Sequence, residues 1–353
     1  MSKSLANIIP LRTAIKDYSA DALRLAMLGS AELLQDADFS FDAIKGIRST
    51  LDDIYNMAIN YSTAKLKPGS SSVSSMTASE MKREIEDRWL VSRLQNYITD
   101  ITVSMDKSRV RKALHDILYM FDQDLQWYKK RINAKNREDS AIVLTLSIFL
   151  KSRIRMLAPF APFISEEIWE IIGDESHSII FAGWPNVNED KRDLVAEESE
   201  QLIINIISDL QNILKVTKIS PVKIIIYTSA AWKQKIYQKI LSFILLKNKT
   251  NFGDIMKQLI KDPETAKAKN DPKLIRNMVE DILSDPIEAR NRRLKLTVFD
   301  EIFPLKDAKM LLSIESGNAQ AEIILHSEDD TQKYDPKEKS KYSRPFKPAI
   351  YIE

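Results

Sequence analysis

Arg155-Met-Leu-Ala-Pro-Phe-Ala-Pro-Phe-Ile-Ser-Glu-Glu-Ile-Trp169 reads as two helices meeting at a proline turn. The first helix stops at Pro159, since proline disfavours helical backbone in the residue before it. Ser165 is placed to cap the second, with Glu166 and Glu167 in its first turn, where carboxylates meet the positive end of the helix dipole. On spacing alone, a junction of prolines and aromatics is explained by a buried helix–helix corner and needs no ligand. Upstream, Ile142, Leu146, Phe149, Leu150 and Leu157 keep the three- and four-residue step of an amphipathic helix. So do Leu114, Ile117, Phe121, Leu125 and Tyr128, and before them Ile85, Trp89, Leu94, Tyr97 and Ile101. A further stripe, Ile44, Ile47, Leu51, Ile54, Ala58 and Tyr61, follows Ser40 as its cap and ends before Pro68, and the serine-rich stretch 67–75 has loop composition. These four stripes predict an antiparallel helical bundle over 39–194.

Beyond the corner the texture changes at the charged run Glu189–Asp193, which sets a boundary near residue 195. Leu202, Ile203, Ile206, Ile207, Leu210 and Leu214 predict a helix. Val222-Lys-Ile-Ile-Ile-Tyr227 is short, β-branched and introduced by Pro221, so it predicts a strand. A helix through Trp232, Ile236, Ile240 and Ile244 comes next. The Asp-Pro pairs at 262–263, 271–272 and 285–286 predict three helix starts, with aspartate at N-cap and proline at N1. Leu294–Val298 and Ala321–Ser327 are candidate strands around a helical segment Asp300–Ser316, and 328–348 is a charged, proline-punctuated tail. The predicted class is mainly α: the bundle, then a smaller α+β domain over 195–353.

Composition narrows the chemistry. The chain has 353 residues, with 44% hydrophobic and 29% charged, the profile of an ordinary folded protein. It has no cysteine and three isolated histidines, which exclude thiol chemistry and leave little for a zinc site, so no metal is predicted. His115 and His177 lack the setting of acid–base groups and receive no role. Seven glycines, with no Gly-x-Gly-x-x-Gly or Gly-x-x-x-x-Gly-Lys motif, argue against a nucleotide-binding loop in this chain. With no long apolar run and no signal-peptide pattern, the expected location is the cytosol. The formal charge is only +2, yet between Lys107 and Arg155 twelve basic residues face five acidic ones.

The corner and Phe181-Ala-Gly-Trp-Pro185 resemble the helical anticodon-binding domain of class I aminoacyl-tRNA synthetases for branched aliphatic amino acids and methionine. In that family a Pro-Phe-x-Pro-Phe/His turn leads into Glu-Glu-x-Trp, and a Trp-Pro pair follows. Met1-Ser-Lys-Ser4, Asn7, Pro10 and the helix Asp21–Leu28 resemble the end of the family's Lys-Met-Ser-Lys-Ser signature loop and the helix after it. Residues 1–38 would then be a loop remnant with a stem-contacting helical segment. Lys223–Lys233 and the ending Lys347–Glu353 are similar to the archaeal and eukaryotic type of leucyl-tRNA synthetase. The resemblance covers nearly the whole chain. The family's Rossmann half, with its His-x-Gly-His motif, and its editing domain have no counterpart in it.

The resemblance implies a tRNA-binding, C-terminal portion of a ligase that attaches leucine to tRNA using ATP, inactive as an isolated chain. Leucine tRNA is the implied partner, together with a separate N-terminal catalytic chain if the enzyme is split. Lys3 takes the place of the lysine that holds ATP phosphates and stabilises charge during adenylate formation; no cofactor is bound by this chain itself. Leu5-Ala6 stand where the family has Lys-Gly, which removes a cation and backbone freedom. This departure favours the alternative, a free-standing synthetase-derived tRNA-binding protein without ligase activity.

Arg109, Arg111, Lys112, Lys129, Lys130, Arg131, Lys151, Arg153 and Arg155 are the candidate phosphate footprint on the bundle. For any one of them a solvated helix face is the better account, while the clustered excess points to function. Arg290, Arg292, Arg293 and Lys295 form a second cluster with the same two readings. Tyr342, Arg344, Phe346, Lys347, Tyr351 and Ile352 suit either contact with an unpaired RNA loop or docking of the tail onto its own domain.

Overall fold

The computed structural model describes residues 10–32, 40–65, 83–173, 177–247, 251–296 and 299–353. The signature-loop residues, Lys3 and Leu5-Ala6 among them, and the serine-rich stretch 67–75 lie outside the described residues. The chain divides into two compact units, one ending at Arg192 and one running from Asp193 to Glu353, with residues 133–136 counted in the second.

The first unit is a helical bundle. Its helices are α1 (Leu11–Tyr18), α2 (Ala20–Ser30), α3 (Phe41–Lys65), α4 (Ile85–Asp106), α5 (Val110–His115), α6 (Phe121–Ala134), α7 (Ser140–Leu157) and α8 (Pro162–Ile172). Ile44, Ile54, Leu90, Leu94, Ile101, Leu114, Ile117 and Leu150 are all buried, so each apolar stripe faces the interior. Phe121 fills the centre, its ring 4.5 Å from Tyr97 and 4.9 Å from Phe149. Local signals set the ends. The Ser40 hydroxyl accepts from the Ala43 N–H at 3.4 Å, and Asp139 accepts from Ala141 at 3.1 Å and Ile142 at 3.3 Å. Between α5 and α6 the helix widens to a π-turn, Asp116–Met120. The buried Arg153 of α7 donates to the Ile117 carbonyl at 2.9 Å and the Leu118 carbonyl at 3.0 Å within that turn.

The corner forms, but Ser165 does not cap α8. The helix begins three residues earlier with Pro162 at its first position, which suits a residue lacking an N–H. The Ile164 N–H left over in that first turn donates to the Asp21 carboxylate of α2 at 2.7 Å. Burial nevertheless holds the Asp21 carboxyl above its usual range. Glu166 is not explained by the helix end alone: it accepts from the Ser178 hydroxyl at 2.7 Å and the Ile179 N–H at 3.1 Å, pinning the segment beyond Gly173. Gly173 closes α8 with φ 52°, a left-handed residue that glycine adopts without strain.

The second unit contains α9 (Leu194–Thr217), β1 (Lys223–Thr228), α10 (Ala231–Lys247), α11 (Phe252–Lys261), α12 (Pro272–Ser284), α13 (Ile287–Lys295), α14 (Ile302–Asp307), α15 (Lys309–Glu315), β2 (Glu322–Ser327) and β3 (Ala349–Ile352). The sheet order is β2-β1-β3, with β1 parallel to β2 and antiparallel to β3, Ile225 lying opposite Ile324 and Tyr351. A central strand is covered on both faces, hence the unbroken run Ile224-Ile225-Ile226-Tyr227, every residue of it buried. Of the three Asp-Pro pairs, only Asp271-Pro272 starts a helix as predicted, Asp271 accepting from Leu274 at 2.9 Å. Asp262 closes α11, and Asp285 closes α12 while pairing with Arg293 at 2.6 Å. Leu294 and Lys295 end α13, so the candidate strand Leu294–Val298 is corrected to helix at its start; Thr297 and Val298 lie outside the described residues. Among the described residues no helix is long and apolar enough to cross a membrane.

Candidate nucleic-acid interface

Burial sorts the basic stretch into two chemistries. A guanidinium with its donors on protein oxygens cannot also grip phosphate without leaving those oxygens unpaired. Arg153 is such a residue: besides the two carbonyls it donates to Asp122 at 2.6 Å, and it is fully buried. Arg131 is also fully buried, 3.9 Å from the Glu86 carboxylate. Arg155 clamps the Phe181–Pro185 segment, donating to the carbonyls of Ala182 at 2.7 Å, Gly183 at 2.8 Å and Trp184 at 3.1 Å. These three are corrected from footprint to framework. Lys151 is half-buried, Lys130 is exposed, and Lys112 is exposed but held by Asp116 at 2.6 Å. Arg109 and Arg111, at the start of α5, and Lys129, on α6, are exposed cations with no ion pair among the described residues.

Lys129 borders a polar cleft of about 380 Å³ between α3 and α6, lined also by Asp53, Asn56, Asn60 and Gln126 and by the paired Asp122 and Arg153. Side-chain amides donate and accept together, which suits base edges and ribose as well as phosphate. The sequence reading missed this cleft, although Asn56 and Asn60 stand at i, i+4 on the polar side of α3. That spacing was a legible signal, but such residues are common on any solvated helix face.

The second cluster is framework too. Arg293 is buried, donating to Glu198 at 2.8 Å, Asp285 at 2.6 Å and the Tyr237 hydroxyl at 3.0 Å. Burial pushes the Tyr237 hydroxyl up to about 12 despite the cation beside it. Arg292 reaches Glu198 at 2.8 Å and Arg290 is half-buried, so within this cluster Lys295 is the exposed cation, with no ion pair among the described residues. In the tail, Arg344 and Lys347 both bind Asp281, at 2.6 and 2.7 Å, and Tyr351 and Ile352 are half-buried residues of β3. The docked alternative therefore describes this tail, while Tyr342 stays exposed.

His115 is exposed beside Asp116, at 3.6 Å, in keeping with a surface role. Among the described residues no cluster of histidine and carboxylate could hold a metal ion.

Residues 87–226 match the family described as the anticodon-binding domain of tRNA ligase. Over the whole chain, leucine–tRNA ligases of Methanococcoides burtonii and Methanosarcina acetivorans are 33% and 31% identical, and that of Pyrococcus abyssi 29%. The chain spans about a third of the length of these relatives: 34%, 34% and 33%. A solved ternary complex of Agrobacterium radiobacter K84 agnB2 LeuRS with tRNA and LeuAMS aligns over 65% of this chain and 24% of that one, at 21% identity and a TM-score of 0.44. From end to end, then, this chain is similar to about a third of the length of archaeal leucyl-tRNA synthetases, and within it residues 87–226 match the anticodon-binding domain of tRNA ligase.

Proposed function

We propose that the chain is the tRNA-holding portion of a leucine–tRNA ligase, a cytoplasmic enzyme that joins leucine to its tRNA using ATP. The observation that supports this best is that the whole chain is similar to archaeal leucine–tRNA ligases over about a third of their length, with residues 87–226 matching the anticodon-binding domain of tRNA ligase. On the bundle, Arg109, Arg111 and Lys129 can exchange counterions for RNA phosphates without breaking an ion pair among the described residues, and the cleft beside Lys129 offers amides to bases or ribose. Such contacts fix the RNA in place, and the sequence-specific share comes from base edges. Adenylate formation belongs to the remainder of the relatives' length, supplied by the same polypeptide or by a separate catalytic chain. There Lys3 would steady ATP phosphates as a mobile point charge.

The test is a binding titration with leucine tRNA, with the same tRNA carrying a shortened variable arm, and with a short-arm tRNA, each at two salt concentrations. Tighter binding of the long-arm RNA, weakening steeply with salt, supports the proposal. Equal and weak binding of all three contradicts it and points to a derived protein that has lost its specificity.

A further inference from the structure

The sheet of the second unit has two edges, and they are not alike. Its order β2-β1-β3 leaves β2 (Glu322–Ser327) and β3 (Ala349–Ile352) outermost. In a strand a residue's N–H and C=O leave on the same side, and that side alternates along the chain. The Glu322 N–H donates to the Val222 carbonyl at 2.9 Å and the Glu328 N–H to the Thr228 carbonyl at 3.0 Å, so the even-numbered residues of β2 face β1. Ile323, Leu325 and Ser327 therefore turn their backbone groups away from the sheet. The Ser327 carbonyl accepts from the Asp330 N–H at 3.0 Å, which closes the turn after the strand. Ile323 and Leu325 are left with backbone donors and acceptors that no group among the described residues satisfies.

An open row of donors and acceptors is a template for another chain, and proteins ordinarily blunt it with lysine, proline or a bulge. Glu322-Ile-Ile-Leu-His-Ser327 contains no lysine or proline, and its register against β1 runs without a bulge. β3 is the shorter edge, four residues directly after Pro348. The helices α14 and α15 lie over β2 and against α9, and they leave Phe303, Met310 and Ile314 exposed at 57%, 54% and 44%. Large apolar side chains thus recur along the pair of helices that flanks the open edge.

A two-fold axis through Ile324 sets Ile323 of one copy antiparallel and opposite Leu325 of the other, where the two residues exchange both N–H···O bonds. The symmetry repeats the exchange, so every open group is used. Moving the axis to Ile323 or Leu325 would bring Ala321 or Ser327 into the ladder, and both are already engaged. The Ala321 N–H donates to the Asn318 carbonyl at 2.9 Å and its carbonyl accepts from the Ser313 hydroxyl at 2.8 Å, while Ser327 holds the Asp330 N–H. With the axis at Ile324, Glu322 falls opposite His326 and Ile324 opposite itself, so no like charges meet. We propose that β2 pairs with β2 of a second copy of this chain about this axis, joining the two sheets into one and covering Phe303, Met310 and Ile314 beside it. A strand edge with a few apolar side chains lies below the ~1,200 Å² of a standard interface, so the dimer forms by mass action as concentration rises. Such pairing is independent of RNA.

The experiment is sedimentation velocity of the full chain over about a hundredfold range of concentration, for wild type, Leu325→Pro, Ile324→Lys and Ile350→Lys. Proline at 325 removes an N–H that faces outward and leaves the bonds between β1 and β2 in place, and lysine at 324 meets its own copy across the axis. Ile350 is an outward residue of β3, whose Ala349 and Tyr351 face β1, so its variant reports on the other edge. Circular dichroism shows which variants remain folded. A wild-type mass that climbs from one chain toward two, a dissociation constant raised about tenfold or more in Leu325→Pro and Ile324→Lys, and no change in Ile350→Lys support the proposal. Hydrogen exchange decides even if both β2 variants misfold: the Ile323 and Leu325 amides exchange rapidly in dilute wild type and become protected as the dimer forms. A chain that stays monomeric throughout overturns the proposal. So does a dimer that survives both folded β2 variants, one that Ile350→Lys abolishes, or one that forms without protecting those two amides.

Discussion

Arg153 and Lys129 belong to one basic stretch of sequence, and their surroundings give them opposite work. Arg153 is fully buried and spends its donors on Asp122 and on two carbonyls that the π-turn presents, while Lys129 stands exposed at the edge of the polar cleft that both residues line. Arg153→Met keeps most of the volume but strands those carbonyls and Asp122. It is expected to cost about 3 kcal/mol in urea unfolding, because removing one partner of a buried charged network leaves the others unpaired. Leucine tRNA affinity of the folded variant should stay at the wild-type value. A normally stable variant that had lost RNA binding would return Arg153 to the footprint. Glu301 offers a second test at this scale. Burial lifts its carboxyl to about 7, against the pull of the Ser229 and Phe346 donors and of Arg293. The folded state therefore holds the proton more tightly than the unfolded one. The resulting stability is fully present below the unfolded value of 4.5 and is lost as pH rises through about 7. Between pH ~4 and ~8 wild type should lose about 3 kcal/mol more than Glu301→Gln does over the same range. Equal pH dependence in the two proteins would show that the carboxyl is not held protonated.

Among the elements, the four long bundle helices and the strand through Ile224–Tyr227 were legible because their apolar residues repeat at the period of the structure they form. Caps were legible where the side chain competes only with its own helix. Ser40 is an example, whereas the cap of α7, Asp139, was not singled out; Asp139→Ala should lower stability by about 1 kcal/mol, by thermal or urea unfolding. Its share in the Arg137 ion pair at 2.8 Å adds to that loss, and a wild-type melting temperature would show that the cap carries nothing. Ser165 misled because α8 starts earlier, at Pro162, and the free Ile164 N–H of that first turn is met by Asp21, from a helix more than a hundred residues earlier. Asp262 and Asp285 misled for a related reason: aspartate before proline suits the end of one helix as well as the start of the next. Strand β3 was invisible as a strand, since Ala349–Ile352 is short and pairs with β1 across more than a hundred residues. The candidate site was less legible than the fold. Spacing marks where arginines cluster, but only packing shows that Arg131, Arg153, Arg155 and Arg293 point inward to oxygens of their own chain.

At the scale of the whole molecule, 52 basic and 50 acidic side chains leave almost no net charge to attract a polyanion. Any grip on RNA therefore depends on the few cations that the fold leaves exposed and without an ion pair among the described residues, Arg109, Arg111 and Lys129 among them on the bundle's basic stretch. Each phosphate neutralised releases condensed counterions, so these residues should be visible in the salt dependence of binding rather than in a single affinity. The most direct test is a leucine tRNA titration across about 50 to 200 mM salt, for wild type and for the Arg109→Ala, Arg111→Ala, Lys129→Ala triple variant. The expected result is a steep wild-type slope of log affinity against log salt that flattens by about 2 to 3 in the variant, three contacts at roughly 0.7–0.9 each. An unchanged slope, or wild-type binding indifferent to salt, would contradict the assignment of these residues as the RNA-gripping surface.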